Sequence, residues 1–443
     1  MSFVIGNDSY ELSKNNKVFP IIWDPTKLAN YHVGITGISG SGKTYQLKRF
    51  ISGLPQSVSI DILDYHDDID VIGSSGAIFS EQTKHGYNPF VINPDPHYGG
   101  VRKAANAVID ILSSSRKLGD QQLATLRNLI DDCFRQKWIN ANNPRSWIKK
   151  NATEQECTAL YEARDWAGLR ECFPTLVDLE RMIQRKIKSS VLGLDDNNKA
   201  KDAVFALESF MKDAKKLKQT RTSVSEEQRA ALEKAKEKAI NSYISAMNSV
   251  EDGQEFEDVL RYSSVETLQS LLLRVQNVMA LGLFSSNPPS FSGNIHRYRL
   301  KPMATSESEL KMFVYSRLNA IYREEMQKGE SEGKLRRFIV LDEAKKFCND
   351  DSDNPINIIA NEARKFGIGL LLASQSPTHF SKDFINSAGT LLVQNMASSD
   401  YNMAAQKLQL DKKKLEFLIP RKTGLLRMQE SGKAARWKGI NFN

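Results

Sequence analysis

The 443-residue chain is long enough for about three domain-sized units, and its 40% hydrophobic and 26% charged residues are ordinary globular usage that excludes wholesale disorder. No apolar run approaches the ~18 residues of a membrane-spanning helix, and the opening stretch lacks a signal-peptide core, so a cytoplasmic chain without membrane insertion is expected. The formal charge of +8 favours an anionic partner, but the surplus is local: Lys407 to Lys438 carries ten basic residues against Asp411, Glu416 and Glu430.

Residues 1–30 read as a short lead-in with strand-like pieces at Phe3–Gly6 and Val18–Trp23. Next comes His32-Val-Gly-Ile-Thr36, an apolar strand running into a Gly/Ser-rich turn and an amphipathic helix from Tyr45 to Ile51. A second strand, Val58–Leu63, ends in Asp64-Tyr-His-Asp-Asp68. Buried-looking strands around a helix predict a parallel α/β sheet.

From residue 101 to 285 the period changes to that of helices, as in Leu207, Phe210, Met211 and Ala214. Lys212 to Lys238 is densely charged, and Ser225-Glu-Glu-Gln228 fits a capping box, which predicts a helical hairpin turning near 219–225. Strand signals return at Phe338–Leu341, Ile368–Ala373, Leu391–Gln394 and Gly424–Met428. The expected organisation is the lead-in (1–30), a first core part (31–100), a helical insertion (101–285) and a second core part with a basic end (286–443). Cys133, Cys157, Cys172 and Cys348 show no C-x-x-C spacing and read as reduced, structural thiols.

Gly37-Ile-Ser-Gly-Ser-Gly-Lys-Thr44 fits G-x-x-x-x-G-K-[ST] between a strand and a helix. Gly37, Gly40, Ser41 and Gly42 let backbone N–H groups close around phosphate oxygens at a helix N-terminus. Lys43 reaches the β- and γ-phosphates, and the Thr44 hydroxyl binds Mg²⁺. The second half of such a site is Phe338-Ile-Val-Leu-Asp-Glu343: Asp342 leaves a buried strand to hold Mg²⁺, and Glu343 can polarise the attacking water. The paired acids favour ATP hydrolysis over phosphate transfer. Glu343-Ala-Lys345 also matches the E-x-K of many nucleases, a weaker assignment for the same residues.

Gln375 stands at the tip of the strand Ile368–Ala373, where an amide can sense the γ-phosphate; its competing role is a turn hydrogen bond. Arg364 and Lys365 precede that strand and can face a neighbouring subunit, the competing role being a surface salt bridge. An arginine supplied in trans accelerates phosphoryl transfer by roughly 10³–10⁵. The basic run that includes Lys412, Lys413, Lys414, Arg421 and Lys422 either touches phosphate or the neighbouring subunit's nucleotide, or is a solvated surface.

Several of these segments together resemble the HerA/FtsK division of hexameric, RecA-like DNA-pumping ATPases, and most closely HerA. They are Leu28 and His32, Asp64-Tyr-His66, Tyr87-Asn-Pro-Phe90, Leu271–Phe284, Val340-Leu-Asp-Glu-Ala344, Ala363–Gly369 and Leu372–Pro377. The middle of the chain, about 100–265, matches poorly. The resemblance implies a RecA-like P-loop ATPase core, a homohexameric ring on double-stranded DNA, Arg364 as the trans-acting arginine and Gln375 as the sensor. It also implies work beside a nuclease or other effector, in DNA processing or antiviral defence. With only about 30 residues before the P-loop strand, the N-terminal barrel of longer HerA proteins is expected to be missing or a stub. A conjugation-type DNA-transfer ATPase, a non-motor nucleotide switch or scaffold, and a stand-alone nuclease remain open alternatives.

Overall fold

The strands predicted as continuous apolar runs form the centre of one eleven-stranded sheet, in the order β2-β1-β11-β10-β9-β3-β8-β7-β4-β6-β5. The computed structural model describes residues 2–97, 99–114, 116–192, 203, 206–207, 209–215, 226–247, 262, 264–303 and 306–442. β3 (Val33–Thr36), β7 (Arg337–Leu341), β8 (Ile368–Ser374) and β9 (Thr390–Val393) are buried at every position. Such strands carry side chains into both covered faces, which is why they read as unbroken apolar stretches. β4 (Ser59–Asp64), β5 (Ser74–Ile78) and β6 (Ile295–Arg299) complete a parallel half that runs from β9 to β5. The expected mostly parallel α/β fold is the one observed.

The register aligns the strand tips. Thr36 pairs with Ser374 on one side and Val393 on the other, while Leu341 pairs with Leu372 and with Leu63. The loops leaving β3, β4, β7, β8 and β9 therefore start from one edge. β3 and β7, which precede the phosphate loop and the acidic pair, are both hydrogen-bonded to β8.

Beyond β9 the sheet turns antiparallel through β10 (Thr423–Met428), β11 (Arg436–Asn441), β1 (Phe3–Asp8) and β2 (Pro20–Trp23). A cluster of Phe3, Trp23 and Phe50, with centroids 5.1–5.5 Å apart and both of the first two rings edge-to-face with Phe50, fastens β1 and β2 to the helix Lys43–Ser52. Arg49 of that helix donates to the backbone carbonyls of Ile5 (2.8 Å) and Val4 (2.5 Å).

The chain divides into two units, Met1–Tyr87 with Asn287–Asn443, which holds the sheet, and Asn88–Ser286. Within the second unit the described residues are mainly helical. The helices Asp120–Gln136, Leu176–Leu192 and Val265–Ala280 pack through Leu126, Leu129, Ile130, Leu179, Ile183, Leu268, Leu271 and Val275, all buried. Tyr262 donates to Asp132 (2.7 Å), and Lys186 lies 3.7 Å from the same carboxylate. The helix Glu226–Met247 is described, but the expected hairpin turn near 219–225 and its capping Ser225 lie outside the described residues. Among the described residues no helix is long and apolar enough to cross a membrane.

Candidate functional site

The phosphate loop is built by tying the Gly/Ser turn to two neighbouring strand ends. Gly37 N donates to Ser374 O (3.1 Å), Ile38 N to Asn395 O (2.9 Å), and Gln394 N to Thr36 O (2.7 Å). Gly40 and Gly42 hold φ of 77° and 106°, conformations that side chains resist, so the chain can curl back before the helix begins at Lys43. Gly42 caps that helix without a side chain, leaving first-turn N–H groups available to an anion. Lys43 Nζ donates to the carbonyls of Gly37 (2.7 Å) and Ile38 (3.2 Å), which holds its charge over the loop. Burial lowers its pKa, against the opposing pull of Asp342, Glu343 and Asp68. Ser41, almost fully buried, donates to Gln394 Oε1 (3.3 Å) and braces the loop from below.

The acidic pair emerges from β7. Asp342 is only 5% exposed, and burial pushes its carboxyl up to about 6, although Glu343 N–H donates to Oδ1 at 2.9 Å and pulls the other way. Glu343 turns the chain with a positive φ of 54°. Its Oε1 lies 3.5 Å from His66 Nε2, and Thr44 Oγ1 donates to Asp68 Oδ2 at 3.4 Å. A hydroxyl at Thr44 and a buried carboxylate at Asp342 are the hard oxygen donors that Mg²⁺ takes, so this donor set fits that ion.

These groups line one cleft of about 830 Å³. Of the expected site residues it brings together Gly40, Gly42, Lys43, Thr44, Asp342, Glu343 and Gln375. Gly37 and Ser41 belong to the same loop but stand behind the lining. Arg364 is elsewhere: it is exposed in the short turn Ala363–Phe366, at the N-terminal end of β8, whereas Gln375 follows the C-terminal end. Seven strand residues, at ~3.3 Å each, put the two ends of β8 roughly 20 Å apart.

The cleft also contains His66, Asp68 and Gln394, to which sequence reasoning gave no role in the site, and Arg421, which it singled out only as one member of the basic run. Asp64-Tyr-His66 was visible as a pattern, but nothing in it shows that the turn after β4 bends toward β7. Arg421 donates from Nε to Gly40 O (3.1 Å) and from its backbone N to Ser41 O (3.2 Å), so one member of the basic run touches the phosphate loop of its own chain.

No family model and no curated protein sequence matches this chain. Among solved structures it is similar to VirB4 of Thermoanaerobacter pseudethanolicus, with a TM-score of 0.62 and 12% identity over 100% of this chain and 96% of that one. The plasmid coupling protein TrwB in complex with the non-hydrolysable GTP analogue GDPNP gives a TM-score of 0.49 at 10% identity, over 100% and 95% of the two chains. The genome packaging NTPase B204 from Sulfolobus turreted icosahedral virus 2, in complex with sulfate, gives 0.25 at 11% identity over 33% and 66%. At 12% identity the first likeness speaks for the fold alone. With the sheet order and the phosphate loop, it makes the first unit an α/β core of the RecA-like P-loop ATPase fold.

Proposed function

We propose that the chain is an ATP-hydrolysing motor of the HerA/FtsK type, working in the cytoplasm as a homohexamer that moves or unwinds double-stranded DNA. The observation that carries this reading is the split of functional groups along β8. Lys43, Thr44, Asp342, Glu343 and Gln375 converge in one cleft, while Arg364 stands roughly 20 Å away at the strand's other end. At that distance Arg364 does not reach the cleft of its own chain, and in this reading it serves the cleft of another copy.

In this reading the phosphate-loop N–H groups and Lys43 hold the β- and γ-phosphates of ATP. Mg²⁺ held by Thr44 and Asp342 would neutralise charge on those phosphates. Glu343 takes the proton of the attacking water as its oxygen bonds to the γ-phosphorus, and ADP departs with the bridging oxygen. Arg364 of a neighbouring copy offsets the charge that develops, and Gln375 reports loss of the γ-phosphate. A motor of this kind grips phosphates rather than bases, so its binding weakens with salt and ignores sequence. A nuclease or other effector in DNA processing or antiviral defence completes the proposal.

The test is ATP turnover at low salt with and without duplex DNA, together with the particle mass. Stimulation by duplex in a hexameric particle is expected; unstimulated turnover by a monomer would sink the motor reading. Arg364→Ala and Lys43→Ala subunits, each inactive alone, should recover turnover when mixed, because each supplies what the other lacks. A second reading, a conjugation- or secretion-type DNA-transfer ATPase, is favoured by the fold likeness to VirB4, which extends over the whole chain. A non-motor scaffold would show slow turnover indifferent to DNA.

A further inference from the structure

The segment Asp64–Asp70, which follows β4, is held far more firmly than an exposed turn needs. Asp64, fully buried, accepts backbone N–H bonds from Asp67 (2.8 Å), Asp68 (3.4 Å) and Ile69 (3.0 Å). Two arginines of β6 clamp it from the side. Arg297 donates to Asp64 (2.8 Å) and Asp67 (2.9 Å), and Arg299 grips Asp67 with two bonds of 2.6 Å. Asp67 takes a φ of 64°, and Ile69 is fully buried, so the turn is pinned at both ends. Bidentate arginine–carboxylate pairs are directional, so they fix an orientation as well as a position.

That clamp aims two of the three residues between its anchors, His66 and Asp68, at the cleft. His66 Nε2 faces Glu343 Oε1 at 3.5 Å, and Asp68 receives the Thr44 hydroxyl at 3.4 Å. Tyr65 stacks edge-on against the His66 ring at 4.8 Å, and Lys346 covers Tyr65 at 4.6 Å. The imidazole is thus held between an aromatic ring and the glutamate, yet its side chain is 47% exposed and buries little. Packing does not account for this placement; the direction of Glu343 does. Glu343 itself takes the left-handed conformation just after β7, and its side chain makes no capping hydrogen bond to the short turn that follows.

We infer that His66 is a positioning residue for Glu343, on a turn after β4 that β6 clamps as a wall of the catalytic cleft. The inference rests on the reading of Glu343 as the group that activates water. In this role the imidazole, 3.5 Å away, restrains one carboxylate oxygen and leaves the other for the water, and a displacement of about 1 Å at such a group can cost up to ~10²-fold in rate.

Steady-state turnover and ATP affinity of the full chain test this. His66→Ala should lower kcat by roughly tenfold or more while KM, the Kd for ATP and the melting temperature stay near wild type. His66→Gln, which keeps an N–H donor near the place of Nε2, should regain much of the loss, a rescue that a merely structural role would not give. Arg299→Gln, which loosens the clamp from a half-exposed position, should lower kcat in the same direction by less. Unchanged kcat in His66→Ala, a Gln variant as slow as the Ala one, or a loss carried by KM would overturn the inference. Glu343→Gln, assayed alongside, separates the two failures. If it hydrolyses ATP at the wild-type rate, the reading of Glu343 has failed; if it is dead and His66→Ala is not slowed, only the role of His66 has.

Discussion

The two halves of the sheet are made differently and do different things. In the parallel half β3, β7, β8 and β9 are buried at every position, and their tips feed the loops of the cleft. In the antiparallel half burial alternates: Ile21 and Trp23 of β2 are 5% and 1% exposed, whereas Ile22 between them is 51% exposed. Yet this half is more than an edge. Arg421, before β10, and Phe442, after β11, both line the cleft, and β1 receives Arg49 from the helix that follows the phosphate loop. In the proposed reading the parallel half carries the chemistry, while the antiparallel half touches the phosphate loop and its helix.

The largest effect expected lies in the parallel half. Glu343→Gln should lower turnover by about 10²–10⁴ while leaving ATP binding intact, since it removes a proton acceptor and little else. Equilibrium binding and single-turnover rates measured together decide this; a variant that binds no nucleotide would show that Glu343 acts in binding instead.

The contrast between the halves also explains what could be read from the residues alone. The parallel strands were legible because a run such as Phe338-Ile-Val-Leu341 is apolar throughout and ends in acids that have no business in a core. β6 was not, because Ile295-His-Arg-Tyr-Arg299 looks too charged for a sheet. Its arginines are offset by Asp64 and Asp67, and its Tyr298 donates to Asp61 (3.0 Å), all partners more than two hundred positions away. Periodicity cannot see an ion pair across that distance. For the same reason the phosphate loop and the acidic pair were visible as a site, while Asp68 was not, His66 showed only as part of a pattern and Arg421 only as one member of a basic run: what places them is the pairing of strands.

Next in size is a stability contrast. Phe338→Ala, at a fully buried ring in β7, should cost about 3–5 kcal/mol, whereas Ile22→Ala on β2 should stay within about 1 kcal/mol. Chemical unfolding of both variants checks this. Equal losses would mean that the two halves are not distinguished by burial in the way described.

A smaller effect, of opposite sign, is expected at Asp342. Its carboxyl is raised from the usual 3.8 to about 6 by burial, so between those values the native chain holds a proton that the unfolded chain releases. Stability contributed by this group is therefore lost as pH rises through that window, by up to roughly 3 kcal/mol. Asp342→Asn should accordingly be more stable than wild type at pH 7.5 and about equal to it near pH 4, measured with chelator and without nucleotide. It should also be inactive. A difference in stability that does not change with pH would remove burial of the charge as its cause.

The smallest effect tests the antiparallel half. Arg421 touches the phosphate loop through two bonds, from its own backbone to Ser41 O and from Nε to Gly40 O, and only the second depends on the side chain. A single charge-assisted bond to a carbonyl, on an exposed residue, is worth about 1 kcal/mol. Arg421→Ala should therefore weaken ATP binding about three- to tenfold with kcat and melting temperature little changed. Arg421→Lys should recover only part, because an ammonium lacks the planar fork that places Nε. The same variants distinguish two roles for the basic run. Were Arg421 part of a DNA-gripping surface, its loss would flatten the salt dependence of duplex binding instead and leave ATP affinity alone. Because the side chain lies against Gly40, inside the loop that must close on phosphate, the nucleotide rather than the DNA is expected to feel its removal.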